Sequence, residues 1–162
     1  GGAAFVVSRE RTGETGVRIL GCAQAHTHQH VPAAPALSEL GAEIAIARAK
    51  AAAGVVISDV RYAAVYDSFT ITLAMLLEDL GLAGRGEAAA RVRAGHFNGD
   101  GAMPLNTHGG LLSEGYIHGL NHVVEAVPQL RGDAGPRQIA GAETCLTTAG
   151  AMTCGSALVL RN

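Results

Sequence analysis

Charge, cysteine and long apolar runs are all in short supply in this chain, and each shortage removes a class of function. Only 16% of the 162 residues are charged, and their balance gives a net charge of −2. No basic patch is available to neutralise a nucleic-acid backbone. Apolar runs such as those from Ile71 to Leu77 and from Ala51 to Ile57 fall far short of the ~20 residues that span a bilayer, and no signal peptide is visible. Three cysteines, Cys22, Cys145 and Cys154, make neither pairs nor a C-x-x-C. A disulfide framework and a zinc ribbon are therefore set aside, and buried, inert thiols are expected. Repeats and low-complexity tracts are missing too. The expectation is a soluble, cytoplasmic globular domain, since 48% hydrophobic residues and a chain of about 150 residues suffice for one real core.

Within that frame the hydrophobic period alternates between two and 3.6. Ala3 to Ser8 and Val17 to Gln24 read as strands, and Leu37 to Ala53 reads as an alanine-rich helix ended by Gly54. Arg61 to Tyr66 is the next strand, followed by a helix through Leu76 and Leu80 with Asp67 or Ser68 as its cap. A side chain at such a strand end faces the crevice where α/β sheets bind ligands. Glu87 to Arg93 forms a short helix, and the runs from Ala142 to Thr148 and Ser156 to Leu160 form a closing hairpin. The alternating His26, His28 and His30 could offer three imidazoles on one side of a strand, but Pro32 and Pro35 point to a loop, and no metal site is assigned.

The most informative stretch is Asn106 to His122, NTHGGLLSEGYIHGLNH. Gly109 and Gly110 let the backbone pass close to a bulky group. Ser113 is placed to cap a helix whose first turn holds Tyr116, where free N–H groups and the helix dipole favour developing negative charge. Apolar residues at Leu120, Val123, Val124, Val127 and Leu130 form the stripe that should face the core, and Pro128 should bend the helix or mark its last regular turn.

This string, with Asn106, Gly109, Gly110, Gly115 and Gly119 in place, resembles the Asn-x-x-Gly-Gly turn and Gly-His-Pro-x-Gly motif of the thiolase superfamily. The segments VYDSFT from Val65 to Thr70, AVPQLRG and GSALVLR are similar to the lipid-transfer-protein branch. The resemblance implies an α/β fold, the thiolase C-terminal half, with a mixed β-sheet and helices on both faces. Residues 1–12 would be the last strand of an N-terminal half and residues 13–162 the C-terminal domain. It also implies a homodimer and, from the nearest branch, an OB-fold partner of the DUF35 type.

Where the family pattern has an asparagine or histidine and then a catalytic histidine, this chain has Tyr66 and Tyr116. The family's second cysteine maps near Ala149, so Cys154 is not its counterpart. A tyrosine pair resembles the superfamily's steroid side-chain-cleaving aldolases, which act on a β-hydroxyacyl-CoA. That implies Tyr66 and Tyr116 as acid and base, with one phenol pKa lowered by the helix start, His108 or His118. Asn106, His108, Gly109, Gly110 and His118 would then surround the substrate or its oxyanion, with coenzyme A present only as part of the substrate and no further cofactor. Two alternatives remain open: an acyl-CoA acetyltransferase using a cysteine of the N-terminal half, and a non-catalytic assembly or lipid-binding subunit.

Overall fold

The computed structural model describes residues 1–10, 13, 16–150 and 152–162. Four strands form one sheet in the order β1 (Arg18–His26), β4 (Cys154–Arg161), β3 (Thr144–Ala149), β2 (Tyr62–Ala64). β1 and β3 run antiparallel to β4, while β2 runs parallel to β3, so the sheet is mixed. A single parallel bridge from Ala63 to Leu105 extends it past β2. The expected hairpin is β3 and β4.

Alternation along the central strands sorts side chains to two faces. Ala63, Leu146, Ala157 and Val159 look toward α1 (Ala42–Ala53), α2 (Thr70–Asp79) and α3 (Ala88–Arg93), burying Ile46, Ala49, Leu76, Leu77 and Ala88. Tyr62, Ala64, Cys145 and Leu160 look the other way, toward Ala126 and Leu130 of α5 (Leu120–Arg131). Helices thus cover both faces, as expected of an α/β fold. The α1 layer sits unusually low, because two glycines remove the side chains beneath it. A Cβ on Gly21 would lie 2.2 Å from the Ala49 carbonyl oxygen, and one on Gly155 would lie 2.4 Å from Ala42 Cα.

Several elements differ from expectation, each for a local reason. Among the described residues, 1–8 pair with no strand; Phe5, Val6 and Val7 are exposed, and a segment without a neighbour cannot form a ladder. The helix expected from Leu37 begins only at Ala42, and Leu37 is left exposed. β2 stops at Ala64 because the next groups leave the ladder. Asn106 takes both main-chain groups of Val65, and the Thr148 hydroxyl takes the N–H of Tyr66. The cap of α2 is neither Asp67 nor Ser68 but Phe69, whose N–H is received by the Thr72 hydroxyl. Of the three thiols only Cys145 is buried; Cys22 is exposed and Cys154 is half-buried. His26 closes β1 and bonds Gln24, while His28 lies in the following loop and bonds Thr27. Among the described residues no helix is long and apolar enough to cross a membrane.

The close seat of α1 gives a direct test. Gly155→Ala, measured by urea denaturation, should lower stability by about 2 kcal/mol or more, because the methyl meets main-chain atoms that cannot rotate away. An unchanged midpoint would mean that α1 can step back from the sheet at little cost.

Candidate active site

Tyr66 and Tyr116 reach each other from different elements. The Asn106 clamp on Val65, with contacts of 2.7 and 2.9 Å, and the 2.9 Å bond from Tyr66 N–H to Thr148 fix the chain just beyond β2. Tyr66 is thereby aimed out of the sheet end. Asn106 itself adopts a positive φ of 44°, so the residue that clamps the strand is also the corner of the turn after Leu105.

The helix expected to start at Ser113 is in fact two helices. α4 (Gly110–Ser113) is one turn long, the chain then leaves helical conformation through residues 114–119, and α5 begins after Gly119 at φ 87°. Tyr116 stands on this intervening loop rather than in a helical first turn. Gly119 is required there, since a Cβ would lie 2.8 Å from Ala149 Cβ and 3.3 Å from the Tyr66 ring. His118, at φ 52°, sets its ring edge-on to Tyr116 with centroids 4.7 Å apart.

The outcome is a hydrogen bond between the two phenol oxygens, with the rings edge-to-face at 6.5 Å. Tyr66 is buried; Tyr116 is 45% exposed. Both line a cavity of about 400 Å³ together with Ser68, Phe69, Gly150, Met152, Thr153 and Cys154. No lining residue carries a formal charge, so the recess suits a neutral, partly apolar group and offers hydroxyl groups to it. Cys154 belongs to this wall, which its position in the chain did not foretell.

Behind the phenols lies a buried polar layer. Asp67 accepts a 2.8 Å hydrogen bond from Leu111 N–H, and its carboxylate lies 3.6 Å from His122 Nε2. His122 is fully buried and its ring is edge-on to both Tyr66 (6.5 Å) and His108 (5.1 Å). His108 in turn meets Asn121 at 3.3 Å and Glu114 at 3.7 Å. Deeper still, the Glu125 carboxylate receives Thr107, Gln129 and a two-nitrogen contact from Arg137 at 2.9 and 3.1 Å. This second cluster pins the turn that carries His108.

These surroundings set proton affinities. Burial, followed by the bond and the charge interaction with Tyr116, pushes the Tyr66 phenol up to about 12, against a smaller opposing contribution from the Ser68 hydroxyl. The expectation that one phenol would be lowered by its neighbours is not met at Tyr66, which is held protonated. Burial, then His108, lowers His122 to about 3, so its imidazole is neutral. His108 is lowered as well, chiefly by burial. Burial alone would raise Glu125, but its bonds to Arg137, Thr107 and Gln129 outweigh that and leave it below the usual carboxylate range.

Of the residues singled out from sequence, the fold brings Tyr66 and Tyr116 together and places the others around or behind them. Asn106 spends its amide on Val65. Gly110 abuts the Asp67 carboxylate, where a Cβ would lie 1.9 Å from Oδ2, and Gly109 faces Ser113. His108 packs on His122, and His118 borders an adjoining groove with Gly119, Leu120 and Val123. None of these five lines the phenol cavity. Sequence reasoning assigned no catalytic or substrate-binding role to His122, Asp67 or Glu125. The available signal was the spacing of Asn121, His122, Glu125 and Gln129, a helical face written in polar residues.

A mixed sheet covered on both sides, with a ligand-sized recess at the end of its short parallel strand, is the class of α/β domain in which chemistry sits on the loops beyond the strands. Residues 23–162 match the family described as thiolase C-terminal domain-like, and the chain belongs to it. The chain is similar to the 17-hydroxy-3-oxo-4-pregnene-20-carboxyl-CoA lyase of Mycobacterium tuberculosis, at 44% identity over 110 residues, which are 68% of this chain and 28% of that protein. A steroid side-chain-cleaving aldolase of Thermomonospora curvata is 42% identical over 103 residues, 64% of this chain and 26% of that protein. Among solved structures, the Ltp2-ChsH2(DUF35) aldolase superposes with a TM-score of 0.79 at 36% identity, covering 88% of this chain and 38% of that one. The chain therefore spans little more than a quarter of the length of these curated relatives.

The buried imidazoles make stability depend on pH with a defined sign. Both have folded pKa values below the unfolded 6.5, so the unfolded chain binds protons that the folded chain refuses. The contribution of His122 is complete above pH 6.5 and is lost as pH falls toward about 3, with a slope approaching about 1.4 kcal/mol per pH unit, and His108 acts in the same direction. Urea midpoints recorded between pH 7 and 5 should fall in the wild type and fall less steeply in His122→Phe. Equal slopes would place the proton uptake elsewhere.

Proposed function

We propose that this chain is the C-terminal domain of a thiolase-superfamily aldolase that cleaves a β-hydroxyacyl-CoA by a retro-aldol reaction, with a steroid or lipid side chain as substrate. The single observation that carries the reading is the phenol pair, Tyr66 bonded to Tyr116 at the wall of an uncharged cavity. The names of the similar lyase and aldolase support the reaction class.

The chemistry balances as follows. A base removes the β-hydroxyl proton, the Cα–Cβ bond breaks, the β-carbon becomes a carbonyl, and the electron pair passes to the thioester as an enolate. An acid then protonates the α-carbon and releases the shortened acyl-CoA. Tyr66, held protonated, is the donor of the pair and delivers the proton to carbon. Tyr116, more exposed at the cavity, acts as the phenolate that Tyr66 hydrogen-bonds and accepts the proton of the β-hydroxyl. A shift of that proton across the phenol–phenol bond restores both groups without help from solvent. Coenzyme A enters only as the substrate's carrier, and neither metal nor other cofactor has a step in this scheme.

The remaining parts of the machine lie beyond this domain. We assign residues 1–12 to the end of an N-terminal thiolase half, and we place that half, a homodimer contact and an OB-fold partner of the DUF35 type around the domain. Leu120 and Val124 are exposed on α5, which suits coverage by another domain, and the similar aldolase was solved with a DUF35 protein. Removing only the phenol oxygen provides the test. Tyr66→Phe and Tyr116→Phe, each in the complete enzyme, should lower turnover of a β-hydroxyacyl-CoA by ~10²-fold or more with little change in substrate binding. Wild-type turnover in either variant would remove that residue from the mechanism. Wild-type turnover in both would return acyl transfer through a cysteine to first place.

A further inference from the structure

Both ends of the loop that carries Tyr116 come up against the same carboxylate, one by a hydrogen bond and the other by a buried contact. Before the loop, Leu111 N–H donates to Asp67 Oδ1 at 2.8 Å. After it, His122 in the first turn of α5 brings Nε2 to 3.6 Å from that same oxygen. Asp67 is itself the residue after Tyr66, and the His122 ring lies edge-on to the Tyr66 ring. The fit is close, because the turn at Gly110 passes within contact of Asp67 Oδ2 and leaves no room for a side chain.

Neither residue lines the cavity, yet both are costly to keep. Asp67 is 3% exposed and His122 is 0% exposed, and neither ring nitrogen of His122 has a hydrogen-bond partner among the described residues. A buried polar group left unmatched destabilises the fold, and an apolar side chain of similar size would be less unfavourable in the same space. The group facing the pair from a neighbouring element is His108, itself met by Asn121 and Glu114, and none of these replaces Asp67 as the link between the two tyrosine-bearing segments.

We infer that Asp67 and His122 are positioning residues that fix the separation of the two phenol oxygens by joining the strand end of Tyr66 to both ends of the Tyr116 loop. The inference rests on the reading of Tyr66 and Tyr116 as the acid and base. It adds that the proton shift between them depends on a carboxylate that never meets the substrate.

The test uses the complete enzyme and a β-hydroxyacyl-CoA. Misplacing a reacting group by about 1 Å costs on the order of 10²-fold in rate, so Asp67→Ala should lower kcat by about 10²-fold while KM changes less than about threefold. Asp67→Asn, whose amide oxygen can still accept from Leu111, should recover about tenfold of that loss, and His122→Phe, which fills the space without the polar edge, should fall about tenfold. Positioning also predicts strong non-additivity: in a Tyr66→Phe background, Asp67→Ala should cost little more, because the group it places has already gone. If Asp67→Ala costs the same factor with and without Tyr66, or if Asp67→Asn turns over no faster than Asp67→Ala, the role is general folding and the inference is overturned. Should Asp67→Ala fail to fold, the same cycle with Asp67→Asn and His122→Phe decides. Near-wild-type turnover in Tyr66→Phe would instead sink the acid–base reading, whatever the Asp67 variants do.

Discussion

A carboxylate removed from water must be met by donors, and one end of this domain is arranged around meeting Asp67. The requirement dictates a glycine at position 110, since the turn has to come within contact of the carboxylate, and it aims the Leu111 N–H at Oδ1. A neutral imidazole, His122, lies 3.6 Å from the same oxygen and behind Tyr66. Burial makes each contact stronger and each omission more expensive. The geometry at the phenols is therefore inherited from an electrostatic constraint one layer deeper.

α5 extends the same principle. Its buried side contains Asn121, His122, Glu125 and Gln129 alongside Ala126 and Leu130, while Leu120 and Val124 face outward. Gln129 bonds Thr107, the Arg137 carbonyl and the Ile139 N–H, so the helix is fastened to its surroundings by directional bonds. Such bonds fix rotation and register more tightly than dispersion does, at the expense of tolerance to substitution. A helix that sets the position of a reactive loop gains from that exchange.

Much of the architecture could be read from the chain itself. The change of period after Tyr66, the stop at Gly54 and the β3–β4 hairpin all rest on local signals, and all appear in the structure. The meeting of Tyr66 and Tyr116 was legible only through family resemblance, because 50 residues separate them and no local pattern links them. The errors share a physical origin. Apolar periodicity assigned the whole stripe of α5 to the core; Leu130 is there and Val123 packs against it, but Leu120 and Val124 face outward, and the buried side also takes Glu125 and Gln129, which bond each other. The helix expected at Ser113 ignored the left-handed backbone at Gly119, whose cause is contact with Ala149 and Tyr66, two residues remote in sequence. Residues 1–8 have the composition of a strand, and composition cannot supply a neighbour.

The short loop of residues 114–119 separates reactivity from architecture. The Tyr116 side chain meets Tyr66 and the His118 ring, whereas the turns on either side are held by glycines and by groups at Asp67. An exchange of side chain at position 116 or 66 thus leaves the scaffold's own bonds intact. A lineage can change which atom carries the proton through very few codons, and a domain of this kind can host divergent chemistries on an almost unaltered frame.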